Sequence, residues 1–490
     1  MSATDALFWY TEAGLPRFRP IIAGLYVLGG CPRPEEMDAA LQSAVVAVPR
    51  LQQRVVEPPL HVGMPEWVDD PHFDFEYHVR RLAIPSPGNE RDLLDLCGAL
   101  LATPLDRERP LWELYWIDGI VRGRSALFLK LHHSLVDGVG SLAILDGLTG
   151  KSEPGSLDRK REGMPHNGPA TGLSSLARLI AVSARTTARL AMTGATLPLR
   201  MLAHPGEVTL GAVSLARRIV GVLGDAGKPR VADPLVRPGS GLSRRLDTFS
   251  VSLARLRAIK APLGVTVNDV VLTALTGCLG AYYRERRVSM SSSNCMVPIN
   301  LRSSHEARTL GNRVGFCNVV LPIAERDLEK RLRGVVRQTT SAKRDHRGTL
   351  YPVLVEALAV LPGAAVGWLA RKSLGRINVV CTNVPGLSRA RSVAGVPIEA
   401  MYPFASVVEG TPLVMALLSY AGVVNIGIDT DPEAIPNPHR ISELFDRALD
   451  ELEKLTRDRA YRRGQSEARR ANGHYEDPET RQRSRVSPGH

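Results

Sequence analysis

Residues 127 to 141 read LFLKLHHSLVDGVGS, an apolar run that ends in two adjacent histidines and is followed by an aspartate and a glycine. Residues 126 to 131 predict a buried strand, because they form a short apolar run after the turn signal VRGRS. Residues 139 to 148 return to a helical pattern. The change from strand to helix around His132 and His133 indicates an α/β fold, in which chemistry is commonly placed at the carboxyl ends of strands.

The whole chain alternates strand and helix patterns in two blocks. A length of 490 residues with 44% apolar content favours two domains over one core. Residues 1 to 150 predict an N-terminal half that carries the histidines, and residues 241 to 456 predict a C-terminal half. Residues 151 to 240 predict a linker and a basic helical connector. Residues 457 to 490 are polar and rich in arginine, and they predict a disordered tail.

Strand predictions in the C-terminal half rest on short runs of β-branched and apolar residues. A final helix is predicted over ISELFDRALDELEKL, residues 441 to 455. The predicted strands are LDTFSVSL (246–253), NCMVPI (294–299), VGFCNVVLPI (314–323), INVVCTN (377–383), and the pair LVMALLSY and VVNIGI joined at Ala421-Gly422 as in a hairpin.

The net charge of +12 is concentrated in the connector. Residues 159 to 245 hold 14 Lys/Arg against 4 Asp/Glu, which is a net charge of +10. The basic residues are not interleaved with stacking aromatics, so the sequence does not predict a nucleic-acid partner. An anionic membrane surface or an anionic cofactor fits this charge better.

Cysteine usage and the N-terminus both favour the cytoplasm. The N-terminal residues lack a basic segment followed by an apolar segment and a cleavage site, so no export is predicted. The longest uncharged apolar run, Ala357 to Ala370, has 14 residues and contains Pro362 and Gly363, so no transmembrane anchor is predicted. Six scattered cysteines without a CxxC pair predict buried thiols in a reducing compartment: Cys31, Cys97, Cys278, Cys295, Cys317 and Cys381.

Three interpretations of HHSLVDG remain open on its spacing alone. A histidine is the natural general base near neutral pH for removing a proton from a hydroxyl nucleophile. A metal site would also use His and Asp, but adjacent histidines tend to point to opposite sides and no further ligand cluster is obvious, so no metal is predicted. The third interpretation is a polar turn at a strand end, in which Asp137 orients its surroundings and Gly138 and Gly140 allow a tight path.

HHSLVDG matches the HHxxxDG signature of the CoA-dependent acyltransferase superfamily. The rest of the chain, up to about residue 455, resembles the bacterial wax ester synthase/diacylglycerol acyltransferase branch. One departure is Thr382, where that branch commonly has serine before NVPG. The stretches that carry the resemblance are TDALFWY (4–10), VPRLQQRV (48–55), WVDDPHFDFEYHVRR (67–81), RPLWEL (109–114), TVNDVVL (266–272), VPINLR (297–302), LGNRVG (310–315) and NVPG (383–386).

The resemblance implies two chloramphenicol-acetyltransferase-like halves with an active-site channel between them, and acyl-CoA as co-substrate without a bound cofactor. The second histidine of the motif, His133, would be the general base and proton acceptor for direct attack on the thioester. His132 would be structural, with its ring turned the other way. Asp137 would pair with an arginine to hold the loop, and Gly138 would complete the structural set. The absence of a GxSxG motif agrees with a mechanism that has no acyl-enzyme.

Other motif residues keep two interpretations each. Asn268 is expected near the N-terminus of a helix, where it would cap the helix or donate to the oxyanion or the substrate. Pro110, Leu111 and Trp112 are either an apolar plug at a strand start or substrate-channel residues. The NVPG stretch is expected mainly to end a strand in a turn, with a role in the site as its second interpretation.

The predicted reaction is long-chain acyl transfer from acyl-CoA to diacylglycerol, with wax ester synthesis from long-chain alcohols as a second activity. The alternatives are acyl transfer to another lipid or polyketide alcohol, and a catalytically silent protein that binds lipid inclusions. The substrates imply a cytoplasmic protein in peripheral contact with the inner membrane or with lipid inclusions. The connector segment 173–190, in which Arg178, Arg185 and Arg189 lie near one helical face, is either a membrane-binding helix or an ordinary packed linker.

Overall fold

The computed structural model describes residues 1–14, 18–57, 65–136, 141–149, 233–236, 243–300, 314–346, 377–405 and 410–472. The N-terminal half contains these elements in chain order: α1 (Ala3–Gly14), β1 (Ile21–Leu28), α2 (Pro34–Ala47), β2 (Gln53–Val56), β3 (Glu66–Asp69), α3 (Phe75–His78), β4 (Val79–Ala83), α4 (Glu90–Ala102), β5 (Trp112–Ile120), β6 (Arg124–His132) and α5 (Ser141–Leu148). The C-terminal half continues with β7 (Arg245–Ser252), α6 (Leu253–Leu263), α7 (Val267–Glu285), β8 (Ser293–Asn300), β9 (Val314–Leu321), α8 (Leu328–His346), β10 (Val379–Val384), β11 (Ser392–Val393), β12 (Val396–Ala405), β13 (Leu413–Tyr420), β14 (Val423–Thr430) and α9 (His439–Asn472).

The first sheet has the order β11-β12-β1-β6-β5-β4, with β6 near its centre. β6 is buried on both faces and is mostly apolar, apart from polar residues such as Lys130, whose Nζ lies 3.0 Å from Glu113 Oε2. Leu127, Leu129 and Leu131 pack in one cluster with α1, α2 and α5, while Ala126 and Phe128 pack in a second cluster with α4. The strand that carries the histidines is therefore held between two layers of apolar side chains.

The second sheet has the order β7-β14-β13-β10-β8-β9 and forms the core of the C-terminal half with α7 and α9. β13 and β14 form the predicted hairpin, and both of its turn residues, Ala421 and Gly422, have positive φ angles of 47° and 86°. Such angles match the right-handed strand twist in a two-residue hairpin turn. The strands predicted from residue 246 onward are confirmed as β7, β8, β9, β10, β13 and β14.

β12 corrects the predicted division of the chain into two sequential halves. It lies in the C-terminal half of the sequence, yet it pairs antiparallel with β1 in the first sheet, from Ile22–Ala405 to Leu28–Ile398. The predicted strands did not include this segment. The first sheet is therefore completed by residues about 370 positions later in the chain. Ile398 and Met401 pack in the apolar cluster with α1, α2 and α5, and Phe404 packs in the cluster with α4.

Close backbone contacts bring the two sheets together. A Cβ atom on Gly427 of β14 would lie 1.9 Å from the carbonyl oxygen of Pro403 in β12, so this crossing requires glycine. On another side, Arg91 Nη1 of α4 donates to the carbonyl oxygen of Leu246 in β7 at 2.8 Å. These contacts fix the relative position of the two sheets near the strand that bears the histidines.

Two further expectations have structural outcomes. The last helix continues to Asn472, beyond the predicted end at residue 455 and into the predicted disordered tail 457–490, because RDRAYRRGQSEARR consists largely of good helix formers. Cys31 is exposed, in contrast to the predicted burial, whereas the other five cysteines are buried. The connector segment 173–190, the run from Ala357 to Ala370, and most of LGNRVG lie outside the described residues.

The helices of the described residues were compared with the length and apolar character that a membrane-spanning helix needs. No single helix there is both long enough and apolar enough to cross a membrane. α6 and α7 meet the length and composition criteria only as a pair, and they are bent by 96° relative to each other. Most of α7 is buried in the C-terminal core.

Candidate active site

The backbone of the histidine pair is fixed by main-chain hydrogen bonds. The β1–β6 ladder ends at the Ile21–His132 pair, and the His132 amide donates to the carbonyl oxygen of Leu111 at 3.0 Å. The His133 amide donates to the carbonyl oxygen of Pro20 at 2.6 Å. A turn begins at His133, and the Leu135 amide donates back to the carbonyl oxygen of His132 at 2.9 Å. His133 therefore leaves the sheet with a defined main-chain direction.

His132 is buried among polar partners, with 1% of its surface exposed. Its Nδ1 accepts a hydrogen bond from the Ser134 amide at 3.1 Å and lies 2.6 Å from Ser134 Oγ. Because an amide can only donate, Nδ1 carries a lone pair and the imidazole proton of neutral His132 is on Nε2. Nε2 lies 3.3 Å from Glu12 Oε2, so its N–H faces an acceptor oxygen without the alignment of a well-formed hydrogen bond.

His133 is half-buried and lies flat against an aromatic ring, whereas His132 meets the Trp9 ring edge to face. The His133 imidazole stacks on Phe8 with ring centroids 4.2 Å apart and planes inclined by 16°. Phe8 in turn meets Phe316 of β9 edge to face, with centroids 6.2 Å apart. Since β9 belongs to the second sheet, the row from His133 through Phe8 to Phe316 connects the two halves. The two adjacent histidines thus have different surroundings.

Helix α1 contacts both histidines from one face. Phe8 and Glu12 are four residues apart, which places them one above the other on a helix. Phe8 covers His133 and Glu12 faces His132. Sequence reasoning assigned no role to either residue; their i, i+4 spacing inside the stretch LFWYTE was an available but weak signal.

Glu12 lies in a network of charges that keeps it ionised. Its side chain is 14% exposed, and Arg107 Nη1 donates to its Oε2 at 3.1 Å. Burial by itself raises the pKa of the Glu12 carboxyl, but nearby His132, Arg107 and Arg19 outweigh this, so its pKa is below the ordinary glutamate value. Arg107 also contacts Glu57 and covers the Trp9 ring at 3.5 Å from its centroid. A carboxylate is thus held beside His132.

Asn268 is not the cap of its helix, which corrects the capping interpretation. Thr266 is the N-cap: its Oγ1 accepts from the Asp269 amide at 3.2 Å, and Asp269 Oδ2 accepts from the Thr266 amide at 2.9 Å. This is a reciprocal capping box. Asp269 Oδ1 also accepts from Thr339 Oγ1 at 2.6 Å, which ties α7 to α8. The cap therefore leaves the Asn268 side chain available for another contact.

Asn268 contacts the NVPG stretch. Asn383 Nδ2 donates to Asn268 Oδ1 at 2.6 Å, so two motifs that lie 115 residues apart in the sequence meet. Because the two atoms of a side-chain amide diverge, this contact turns Nδ2 of Asn268 away from Asn383. Asn383 is exposed and Asn268 is half-buried. The pair forms a polar corner at the start of α7.

Strands β8 and β10 separate close to this corner. These parallel strands pair only at Cys295–Val379 and Met296–Val380, although β8 continues to Asn300 and β10 to Val384. Beyond the last pair, β8 stays with β9 and β10 stays with β13. Asn383 lies on one side of this separation, and Phe316, opposite Pro298, lies on the other. The carboxyl ends of separating parallel strands are a common place for a ligand.

Gly386 holds the end of NVPG against β13. Its amide donates to Ser419 Oγ at 3.0 Å, and a Cβ atom at this position would lie 2.1 Å from the Ser419 carbonyl oxygen. Glycine is therefore required for this close approach. The turn that follows Asn383 is fixed by packing, in agreement with the main expectation for this stretch.

The predicted channel residues lie in the N-terminal core. Pro110, Leu111 and Trp112 are all buried. Trp112 stacks on His78 with centroids 4.6 Å apart, and its indole Nε1 donates to the carbonyl oxygen of Leu51 at 2.7 Å. These contacts show that the segment packs in the N-terminal core. Leu111 also supports the strand that bears the histidines, because its carbonyl oxygen accepts a hydrogen bond from the His132 amide. Its role as a channel wall remains a prediction.

Two predicted structural residues, Asp137 and Gly138, lie outside the described residues, together with Gly140. Within the residues that are described, no group of three His, Cys, Asp or Glu side chains is arranged to hold a metal ion. The geometry therefore rests on two sets of contacts: the histidine turn with α1, and the asparagine pair at α7.

Comparisons with known proteins agree with this arrangement. The sequence profile of the wax ester synthase/diacylglycerol acyltransferase catalytic domain matches residues 1–271, and that of the WS/DGAT C-terminal domain matches residues 310–453. The chain is 31% identical over 445 residues to the probable diacylglycerol O-acyltransferase tgs1 of Mycobacterium tuberculosis (strain CDC 1551 / Oshkosh), covering 89% of this chain and 92% of the relative. A putative diacylglycerol O-acyltransferase of the same strain is 28% identical and covers 92% of this chain and 91% of its own length.

Solved structures show the same fold. The wax ester synthase/diacylglycerol acyltransferase from Marinobacter aquaeolei VT8 superposes with a TM-score of 0.60 at 26% identity, covering 92% of this chain and 98% of that one. The first condensation domain of the calcium-dependent antibiotic synthetase superposes with a TM-score of 0.58 at 15% identity, over 94% of this chain and 96% of that one, and this likeness concerns the fold alone. The predicted α/β class with two acetyltransferase-like halves is confirmed. The chain belongs to the wax ester synthase/diacylglycerol acyltransferase family and is an acyltransferase.

Proposed function

We propose that this acyltransferase moves a long acyl chain from acyl-CoA to the hydroxyl of diacylglycerol, releasing triacylglycerol and CoA, with His133 as general base. The observation that carries the proposal is the position of His133. It stands at the carboxyl end of β6, outside the sheet, with its ring half-buried against Phe8 and one contact away from the second sheet. A base in this position meets substrates that lie between the halves.

The reaction needs one proton transfer in each direction. The His133 imidazole accepts the proton of the acceptor hydroxyl while the hydroxyl oxygen attacks the thioester carbonyl carbon. The tetrahedral intermediate then collapses, the carbon–sulfur bond breaks, and the imidazolium returns the proton to the CoA sulfur. Ester and free CoA are the products, and no covalent acyl-enzyme forms.

Asn268 is proposed as a donor to the oxyanion of that intermediate or to a polar group of the substrate. Its Oδ1 is engaged by Asn383, so its Nδ2 is directed elsewhere from the start of α7. Side-chain amides are effective oxyanion donors when they are held in place before the reaction. The hydrogen bond from Asn383 supplies that restraint, which gives the NVPG stretch a supporting role.

Diacylglycerol is favoured as acceptor because the two M. tuberculosis relatives are named diacylglycerol O-acyltransferases. Wax ester synthesis is the second candidate, and the name of the M. aquaeolei structure favours it. Both acceptors present one hydroxyl on a long apolar body. Contact with the inner membrane or with lipid inclusions through the basic connector is part of the same proposal, because both acceptors are lipids.

The experiment offers both acceptors to one enzyme. Purified full-length protein is incubated with labelled palmitoyl-CoA and equal amounts of diacylglycerol and hexadecanol, and the neutral lipids are separated. We expect triacylglycerol as the main labelled product, with CoA released in equal amount. Wax ester as the main labelled product would instead make the long-chain alcohol the favoured acceptor. Binding of lipid without CoA release would support a catalytically silent protein that binds lipid inclusions. A labelled ester that contains neither diacylglycerol nor hexadecanol would point to another alcohol as the acceptor.

A further inference from the structure

We propose that Glu12 is a positioning residue for acyl transfer: its carboxylate holds His132 in the tautomer that fixes the turn from which His133 projects. The inference rests on the proposed role of His133 as base and extends it to helix α1. Glu12 Oε2 faces Nε2 of His132. It acts through the side chain next to the base.

The tautomer of His132 is linked to the turn that follows it. The Ser134 amide donates to His132 Nδ1 at 3.1 Å, inside the turn that the Leu135 amide closes on the His132 carbonyl oxygen. The contact requires a lone pair on Nδ1, hence a proton on Nε2. A proton on Nδ1 instead would oppose two N–H groups and leave the Ser134 amide without this acceptor. The turn geometry and the His132 tautomer are therefore coupled.

Glu12 is the partner of the Nε2–H group of His132. Glu12 Oε2 lies 3.3 Å from His132 Nε2, in a pocket where both groups are largely removed from water. A buried N–H prefers an acceptor, and an acceptor oxygen held beside Nε2 favours the tautomer with the proton there. This is the orienting part that a carboxylate plays for histidines at catalytic sites in general. Here the oriented histidine is the neighbour of the base.

Glu12 is itself held by neighbouring arginines. Arg107 donates to the same oxygen, Oε2, at 3.1 Å, and Arg19 adds a second positive charge nearby. Since guanidinium groups can only donate, Arg107 requires an oxygen at the position that faces His132. A glutamine at position 12 would therefore be turned with its oxygen toward both Arg107 and His132, and would keep the acceptor.

This geometry sets the choice of variants. Glu12→Gln keeps the acceptor oxygen without the charge, and Glu12→Met fills a similar volume without an acceptor. Glu57→Gln and Glu57→Met make the same changes on a second carboxylate, which contacts Arg107 and accepts a hydrogen bond from the Trp9 indole. His133→Ala reports on the proposed base in the same assay. All are measured as full-length protein with palmitoyl-CoA and diacylglycerol, together with Tm.

We expect Glu12→Met to lower kcat about 10- to 100-fold, the usual cost of removing a partner that orients a functional histidine, with KM for palmitoyl-CoA within about twofold. Glu12→Gln should restore kcat to within about threefold of the wild type. Both Glu57 variants should keep kcat, whatever their Tm. If Glu12→Met does not fold, Glu12→Ala replaces it, and ¹⁵N-histidine NMR of the wild type tests directly for an unprotonated Nδ1 on His132.

The inference is overturned if the folded Glu12→Met enzyme keeps its kcat, or if Glu57→Met loses kcat equally, because the effect would then act through Arg107 and the fold. It is also overturned if Glu12→Gln is as slow as Glu12→Met, since charge rather than the acceptor would then matter, or if the NMR spectrum shows Nδ1 protonated. Full activity of His133→Ala would instead remove the proposed function itself.

Discussion

Replacing Asn268 by aspartate separates its structural contact from its proposed chemical role. The carboxylate keeps an oxygen where Asn268 Oδ1 accepts from Asn383 Nδ2 at 2.6 Å, so that contact is preserved or strengthened. The new charge lies in the first turn of α7, where the helix dipole favours a negative group by about 0.3–1 kcal/mol. The folded protein should therefore lose no stability, and Tm should not fall.

Turnover should respond in the opposite direction. The substitution replaces the Nδ2–H₂ donor by an anionic oxygen that repels a developing oxyanion. Loss of a single oxyanion donor costs about 2.7–4 kcal/mol of transition-state stabilisation, which corresponds to about 100- to 1,000-fold in kcat. The assay is the initial rate of CoA release from palmitoyl-CoA with diacylglycerol, alongside a thermal melt of the same sample.

Thr266→Ala is the matched control, two residues away on the same helix. It removes the side-chain acceptor of the capping box, which costs about 1 kcal/mol of stability, and it leaves Asn268 in place. We expect Thr266→Ala to lower Tm and retain most of kcat, whereas Asn268→Asp retains Tm and loses kcat. The reasoning fails if Asn268→Asp turns over normally, or if the two variants lose stability and activity together.

Three further predictions concern the surroundings of the site. Phe8→Leu keeps the volume beside His133 but removes a ring stack worth about 0.5–1.5 kcal/mol, so kcat should fall about 2- to 13-fold in the CoA-release assay with little change in Tm; an unchanged kcat would show that the stack does not orient the base. Gly386→Ala should lower the free energy of unfolding in denaturant by about 1–3 kcal/mol, because its Cβ would lie 2.1 Å from the Ser419 carbonyl oxygen. Gly334→Ala in α8 is the control and should be neutral or stabilising, because its Cβ comes no nearer than 3.4 Å to Pro322. Equal effects of the two substitutions would contradict this packing argument. Changing Arg178, Arg185 and Arg189 to Gln should weaken salt-sensitive flotation with anionic liposomes while activity on soluble short-chain alcohols remains, and unaffected flotation would move the membrane contact elsewhere.

The fold was predictable wherever local pattern decides structure. Short apolar runs predicted the strands of the second sheet, and Ala421-Gly422 predicted its hairpin, because strand burial and turn geometry are written in neighbouring residues. The pairing of β12 with β1 was not predictable in this way. It joins residues near 22 and 405, and nothing in either segment specifies a partner so distant.

The site shows the same division between local and distant information. The motif marked His132 and His133, but their separate surroundings depend on α1, whose Phe8 and Glu12 approach from more than 100 positions earlier in the chain. The meeting of Asn268 with Asn383 likewise depends on tertiary structure. One error was local: Thr266 followed by Asp269 is a readable capping-box signature, and it identified the cap as Thr266 rather than Asn268.

The most direct test of the central claim is the rate of CoA release by purified His133→Ala. Wild-type and variant proteins with matching Tm are given palmitoyl-CoA and diacylglycerol, and both CoA and labelled triacylglycerol are measured. Because a positioned general base contributes about 100- to 10,000-fold, the account predicts a loss of that size in both products. A folded His133→Ala enzyme that releases CoA and forms triacylglycerol at near wild-type rates would contradict the assignment of His133 as the base.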